Sequence, residues 1–549
     1  MTFESNSPRT WDLRHNLWLL AAVSLALHGT GPRLGAADWP QWGGDLGRNM
    51  VSSETGLPET FKAREPMENV RWMATLGGAM QGNPTVSNGR VFVGTDDAAL
   101  DADPRFSRTH GGMVQCLDEA TGKVLWRLAI PQRMRDRLPE GAHYGEQMLG
   151  VCSSPAVSGN RVYVVTGSCE ILCLDVNGMA NGNDGPFKDE ARYMAGRGHP
   201  PIKLGKQDGD IIWSFDLIDQ LGICPHDVAS CSPLVDGRFL YSVSCNGVDK
   251  AHVKCLRPDA PSFIALDTQT GKLLATDTEG LGHRMWHCLW SPPSMGVVNG
   301  KKLVFFGGAD GICYAFEALT EVPNEPIHFK KVWQFDCDPP NFRMPEGKPV
   351  NYYAGDKRKP YTTNKNDGKF LGPSEIISAP VFYNGRVYVT IGQDPTHGRG
   401  RGLLHCIDAS QTGDITTSGN VWTYEGIERT IASVAISDGL LYAVDLPGHV
   451  HCLDLATGKP YWVYDTNAET WGTPMVADGK IYITNKKGLI VMAAGKKPKL
   501  LATIHLGAAS YATPVAANGT VFVASQTSLW AVQKGATLSS GMRSTDSTQ

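Results

Sequence analysis

Three short segments concentrate side chains that can do chemistry. GAHYGEQM at 141–148 carries His143, Tyr144 and Glu146; GHRMWHCLW at 282–290 carries His283, Arg284, Trp286, His287 and Trp290. GQDPTHGRGRG at 392–402 carries Asp394, His397, Arg399 and Arg401. Imidazoles and carboxylates move protons near neutral pH, and aromatic rings stack on flat ligands. Trp471 and Tyr511 add two rings, and Asp310, Glu375, Arg429, Asp445 and Asn485 fall at comparable places of the repeat described below. Such a mixture suits a polar ring-shaped ligand or a peptide segment. The expected ligand funnel is therefore His143, Glu146, Trp286, His287, Asp310, Glu375, Asp394, Arg429, Asp445, Trp471, Asn485 and Tyr511.

Spacing excludes several chemistries. His283 and His287 stand four apart in a loop, which is no zinc motif, so no metal site is expected. GRGRG at 398–402 is followed by no helical pattern and is no dinucleotide fingerprint. Phosphate-binding loops ending in Gly-Lys-Ser/Thr, a Gly-x-Ser-x-Gly elbow and a Cys-x-x-Cys-His haem motif are all missing. A net charge of −4 offers nothing to nucleic acid.

The elements that position these residues come from an internal repeat. A proline opens a strand at Pro84, Pro155, Pro233, Pro293, Pro380, Pro474 and Pro514, with Val434 in the equivalent place of the sixth copy. Each copy then has a two-residue turn: Asn88-Gly89, Gly159-Asn160, Asp236-Gly237, Asn299-Gly300, Asn384-Gly385, Asp438-Gly439, Asp478-Gly479 and Asn518-Gly519. Tight hairpins need positive φ, which Gly, Asn and Asp tolerate. A second strand follows, then a third ending in Leu-Asp or a variant, and usually a fourth with a Trp (Trp126, Trp213, Trp333, Trp422, Trp462). Four short strands in about 40 residues make a propeller blade. Eight copies predict an all-β, eight-bladed β-propeller of four-stranded antiparallel blades. The eighth copy has three strands, so 69–72, with Trp72, is expected to supply its fourth and close the ring.

Insertions fall in copies one to five. Strand order puts 95–111, 128–152, 217–231, 245–262, 276–291, 336–378 and 392–402 on one face, and 177–207 and 317–330 on the other. Long loops on a rigid scaffold are where binding concentrates. Cys116, Cys173, Cys313, Cys406 and Cys452 share one third-strand position and read as small core residues. Cys245 with Cys255, or Cys224 with Cys231, are candidate disulfides in an oxidising compartment.

Residues 1–37 read as a signal peptide: Arg9 and Arg14, an apolar run from Leu17 to Leu27, then Gly35-Ala36-Ala37. The run is too short to span a bilayer and no lipoprotein Cys follows closely. The mature chain is expected in the periplasm or secreted, without a membrane span and as a monomer. Residues 38–535 form one propeller domain, and 536–549 a disordered polar tail.

The Asp-x-x-Thr-Gly-Lys-x-x-Trp turns, as at Asp118–Trp126 and Asp454–Trp462, together with the opening Trp39-Pro-Gln-Trp42-Gly-Gly-Asp45, resemble the pyrroloquinoline-quinone (PQQ) repeat propellers over 38–533. That superfamily includes quinoprotein dehydrogenases using PQQ and calcium, and the non-catalytic propeller lipoprotein of outer-membrane assembly. The resemblance implies a leading reading and two alternatives. The leading one is a binding propeller for a small ligand, polysaccharide or envelope protein, with no assigned catalysis. The alternatives are a PQQ- and calcium-dependent dehydrogenase of an alcohol or sugar, and an envelope assembly scaffold. For a dehydrogenase, Trp286 or Trp471 would stack on the cofactor, and Glu146, Asp310 or Asp394 would serve as base or ligand. The adjacent cysteine pair of many such dehydrogenases is missing, and no catalytic residue is carried over.

Overall fold

The computed structural model describes residues 37–106, 109–133, 137–144, 149–343 and 374–537, with four two-residue strands inside 353–371. All but the last residue of the expected leader, Glu146, and nearly all of the expected tail lie outside the described residues. Among the described residues no helix is long and apolar enough to cross a membrane.

Each turn dipeptide does what its residues allow. Asn88, Asn299, Asn384, Asp438, Asp478 and Asn518 all take φ near +50°, and the glycine after each is also positive. The hairpins so formed make the two inner strands of a blade. Blade one is Thr85–Ser87, Arg90–Asp96, Gly112–Asp118 and Val124–Ile130, antiparallel in that order. The described residues repeat this plan eight times. Later blades open at Ala156–Ser158, Leu234–Asp236, Ser294–Val298, Val381–Tyr383, Ala435–Ser437, Met475–Ala477 and Val515–Ala517. Blade eight takes its outer strand, Val70–Thr75, from the start of the chain, paired antiparallel with Ser528–Val532. The ring closes there as the repeat predicts, and the edge of Ser528–Val532 is covered.

Neighbouring blades are joined by the fourth-strand tryptophans. Trp72 of blade eight donates to Glu119 O, Trp126 to Val176 O, Trp213 to Thr268 O, Trp422 to Leu455 O and Trp462 to Gly495 O, each on the next blade. The Thr-Gly-Lys turns explain themselves here. A Cβ on Gly122, Gly271 or Gly458 would come within 2.5–2.6 Å of the preceding blade's indole, and all three have positive φ. Burying one such ring is worth roughly 4–6 kcal/mol of transfer free energy. In the register, Cys116, Cys173, Cys406 and Cys452 each face the tryptophan of their own blade, where a small side chain makes room for it.

Two features organise the axis. The residue before each opening proline forms a blade-to-blade belt of hydrogen bonds. Ser433 N donates to Thr473 Oγ1, Thr473 N to Thr513 Oγ1, Thr513 N to Asn83 Oδ1, Asn83 N to Ser154 Oγ and Ser154 N to Ser232 Oγ, at 2.7–3.0 Å. Blades four and five have Pro292 and Ala379 there, and Ser291 and Ser433 hydroxyls bond to Ser378 O and Ala379 O instead.

The second feature is the opening segment, which winds round the ring of innermost strands in blade order. Trp39 pairs with Val86, Pro40 O accepts from Val157 N, and Gln41 Oε1 from Val235 N. Leu46 O, Gly47 O, Asn49 Oδ1 and Met50 O then accept from Met295, Phe382, Ile436 and Val476. Glu54 accepts from Asn518 and Gly519 of blade eight. At its centre the fully buried Arg48 donates to Trp42 O, Pro293 O and Pro233 O. Burial pushes its pKa down to about 10, so the guanidinium stays charged at neutral pH.

The insertions lie between the strands assigned to them from sequence. Those between strands two and three, and those between blades, belong to blades one to five; 176–210 and 318–330 join strands three and four of blades two and four. Each of the thirteen cysteines is a free thiol, so the Cys245–Cys255 and Cys224–Cys231 disulfides are not formed. Twelve are buried in the core, and Cys152 is half-buried at the axis.

Candidate functional site: an axial cavity and a histidine cluster

Above Trp42 the axis widens into a cavity of about 220 Å³. Its wall takes residues from every blade, because the segment entering each innermost strand faces the axis. Trp471 and Tyr511, which enter blades seven and eight, pack ring to ring at 4.3 Å and form one side. Trp290, Asp227 and Asp394 line it from the inserted loops.

Beside this cavity the inserted loops gather five imidazoles. His226–Asp227, from the connection between blades two and three, pairs in parallel with His143–Tyr144, from the connection between blades one and two. His252 comes from the second-to-third strand loop of blade three, His287 from the blade three-to-four connection, and His397 from the blade five loop. The His226 ring centroid lies 4.8, 4.5 and 4.4 Å from those of His143, His252 and His287. His397 lies 5.2 and 5.0 Å from His252 and His287. Gly247 permits this approach, since a Cβ there would come within 2.6 Å of the His226 Cβ.

The polar contacts orient the rings. His226 Nδ1 lies 2.8 Å from Val248 O. A carbonyl only accepts, so Nδ1 carries the proton and Nε2 the lone pair. His287 Nε2 faces His252 Nε2 at 3.2 Å, and its Nδ1 lies 3.9 Å from Glu375 Oε1. His143 Nε2 lies 2.8 Å from Asp227 Oδ1, and His397 Nδ1 lies 3.1 Å from Gln393 Oε1. His226, His287 and Glu375 are essentially inaccessible to solvent. Burial, then the neighbouring His252, pushes the His226 pKa down to about 3, which keeps that ring neutral. Burial likewise raises Asp394, against the bonds it accepts from Thr396. Asp227 and His252 adopt left-handed φ of 57° and 55°, uncommon for residues other than glycine.

Of the twelve residues expected from sequence, His143, His287 and Asp394 meet in this cluster with Glu375 directly behind it, and Trp471 and Tyr511 wall the cavity. The other described ones have different work. Asp310 is held by Arg284 and Tyr314 at 2.7–2.8 Å and accepts from Ile312 N. Asp445 accepts from Gly448 N and His449 N, and Asn485 from Lys487 N and Gly488 N. All three cap the turn between the second and third strands of their blades and do not line the cavity. Arg429 is buried against Gly400, and Trp286 is buried with its backbone N–H on Ala309 O. His226, Asp227 and His252 were missed, although each lies in a loop that strand order assigns to the elaborated face.

A family model described as outer membrane protein assembly factor BamB matches residues 98–180 and 401–498, both within the repeat. The matched segments carry PQQ-like repeats. Among solved structures, the chain is similar to BamB from Moraxella catarrhalis, at 12% identity and TM-score 0.46, covering 84% of this chain and 97% of that one. It is also similar to a quinohemoprotein alcohol dehydrogenase from Comamonas testosteroni, at 14% identity and TM-score 0.42, covering 92% and 82%. No curated protein matches it.

Of the residues that the resemblance offers to a calcium–quinone pair, Trp471 and Asp394 line the cavity. Calcium takes six to eight oxygen ligands, often several carboxylates. The described cavity wall offers two carboxylates, Asp227 and Asp394, and the groups next to them are imidazoles. Asp310, a candidate base, is held in its turn, and Trp286, a candidate platform, does not reach the cavity.

Proposed function

We propose that the chain is an exported binding propeller that takes a small ligand with an aromatic or otherwise flat apolar face into its axial cavity. The observation that carries this reading is the wall itself: Trp471 and Tyr511 packed at 4.3 Å on one side, Asp227 and Asp394 on the side of the inserted loops. A flat ring would stack on the aromatic pair while its polar edge meets the carboxylates, an arrangement common to small-molecule sites. The scaffold suits recognition, since the belt and the wound opening segment hold the wall with little freedom to rearrange. Export accords with the leader-like residues 1–37.

The test is a calorimetric and tryptophan-fluorescence titration of the folded chain with PQQ plus calcium, aromatic amines and oligosaccharides, repeated on a Trp471→Ala/Tyr511→Ala variant. Saturable binding of one compound per chain that the double variant loses is the expected result. A folded wild type that binds no member of the panel would sink the small-ligand reading and turn attention to envelope proteins.

A further inference from the structure

We propose that His226, His252 and His287, with Asp227 or Asp394 as oxygen donor, bind a first-row transition-metal ion of borderline softness, zinc or copper(II), at the edge of the axial cavity. Three groupings of these residues bring one ligand atom each to within 4.8 Å of one another: His226 with His252 and His287, Asp227 with His287 and Asp394, and His143 with His226 and Asp227. One pair of nitrogens, His252 Nε2 and His287 Nε2, is 3.2 Å apart. Zinc–imidazole bonds of 2.0–2.1 Å in a tetrahedron set neighbouring nitrogens about 3.3 Å apart, so this pair already has the edge length of a coordination sphere. Loading would draw the wider pairs inward.

The surroundings match what metal ligands need. His226 gives its Nδ1–H to Val248 O. Such outer contacts fix the ring and present the other nitrogen. Two residues of the cluster, Asp227 and His252, hold left-handed backbones, a strain that gathers at functional sites. Four insertions, from blades one, two and three, converge to place His143, His226, His252 and His287, far more construction than one hydrogen-bonded imidazole pair requires. Nitrogen donors select zinc or copper over calcium. The inference is independent of whether the cavity takes an organic ligand, because its test contains none.

The full chain is stripped with a chelator, dialysed, and titrated with zinc against a chromophoric competitor, with metal content read by mass spectrometry. The expected result is one ion per chain, not displaced by about a hundredfold excess of calcium. The copper-loaded form should show imidazole nitrogen splitting in its electron paramagnetic resonance spectrum. His226→Gln and His287→Gln should each weaken binding by at least about 10–100-fold. His252→Gln, at a half-exposed position, should do the same with an unchanged circular dichroism spectrum, which covers the case in which the buried variants fail to fold. A folded wild type that takes up no stoichiometric ion, or a His252→Gln variant that binds zinc as tightly as wild type, overturns the proposal.

Discussion

Trp72 stands directly opposite Ala531 in the register that joins the beginning of the chain to its last blade. Trp72 is fully buried, and its indole N–H crosses to Glu119 O of blade one at 2.8 Å. One residue therefore completes blade eight and docks it on blade one. Trp72→Ala should cost about 3–5 kcal/mol in denaturant unfolding. Deleting residues 38–75 should lower the melting temperature and bring on aggregation through the bared Ser528–Val532 edge. A deletion variant that melts with the full chain and stays monomeric in light scattering would remove the seam from the account.

Thr473 tests the axial belt. Its Oγ1 accepts from Ser433 N at 3.0 Å, and its own N–H donates to Thr513 Oγ1 at 2.9 Å. Thr473→Val keeps the shape and leaves the buried Ser433 N–H without its acceptor, a loss of about 1–3 kcal/mol. Thr473→Ser keeps the hydroxyl and should recover most of that in the same unfolding measurement. Equal stabilities for the Val and Ser variants would mean that the belt contributes nothing.

The thiols give a prediction without mutagenesis. All thirteen are free, and burial pushes Cys152 and Cys173 up to about 12. Since the thiolate is the reactive form, a disulfide-exchange reagent should react slowly with the native protein. Unfolding in guanidinium without reductant should release thirteen reactive thiols per chain. A count lower by two would restore one of the disulfides expected from sequence.

The repeat was legible because its signals are local. An Asn-Gly or Asp-Gly turn and a proline before it act within one blade, and the Trp after it reaches only the next blade, so strand order, ring closure and the elaborated face all followed. Half of the site did not. His226 sits alone in ICPHDVAS and His252 alone in KAHVKC, with no ligand spacing around either. Only the side-by-side stacking of neighbouring blades brings them to His143 and His287. A usable signal was present: the loops 128–152, 217–231, 245–262, 276–291 and 392–402 each contain a histidine. The reverse error has the same origin. Asp310, Asp445 and Asn485 recur at one place of the repeat, and recurrence of that kind marks a turn cap. The path of 39–54 around the axis carries no repeat of its own, so nothing in its residues announced it.

Asp445 supplies the pH test. It is buried, and accepts from Glu428 N, Gly448 N and His449 N and from His451 Nε2 at 3.2 Å. Burial alone would raise its pKa, but the bond from His451, the charges of His451 and His449 and the backbone donor outweigh it and hold it below its ordinary value of 3.8. A carboxyl with a depressed folded pKa binds its proton more weakly folded than unfolded. Its contribution is therefore complete above the unfolded value and is lost as pH falls through the folded one. Asp445→Asn should cost about 1–3 kcal/mol at pH 7. The gap between variant and wild type should narrow as pH drops below about 4. Urea unfolding of both proteins at a series of pH values measures this directly. A gap that stays constant down to the acid limit would show that Asp445 acts by shape alone, and a gap that widens on acidification would reverse the sign of its linkage.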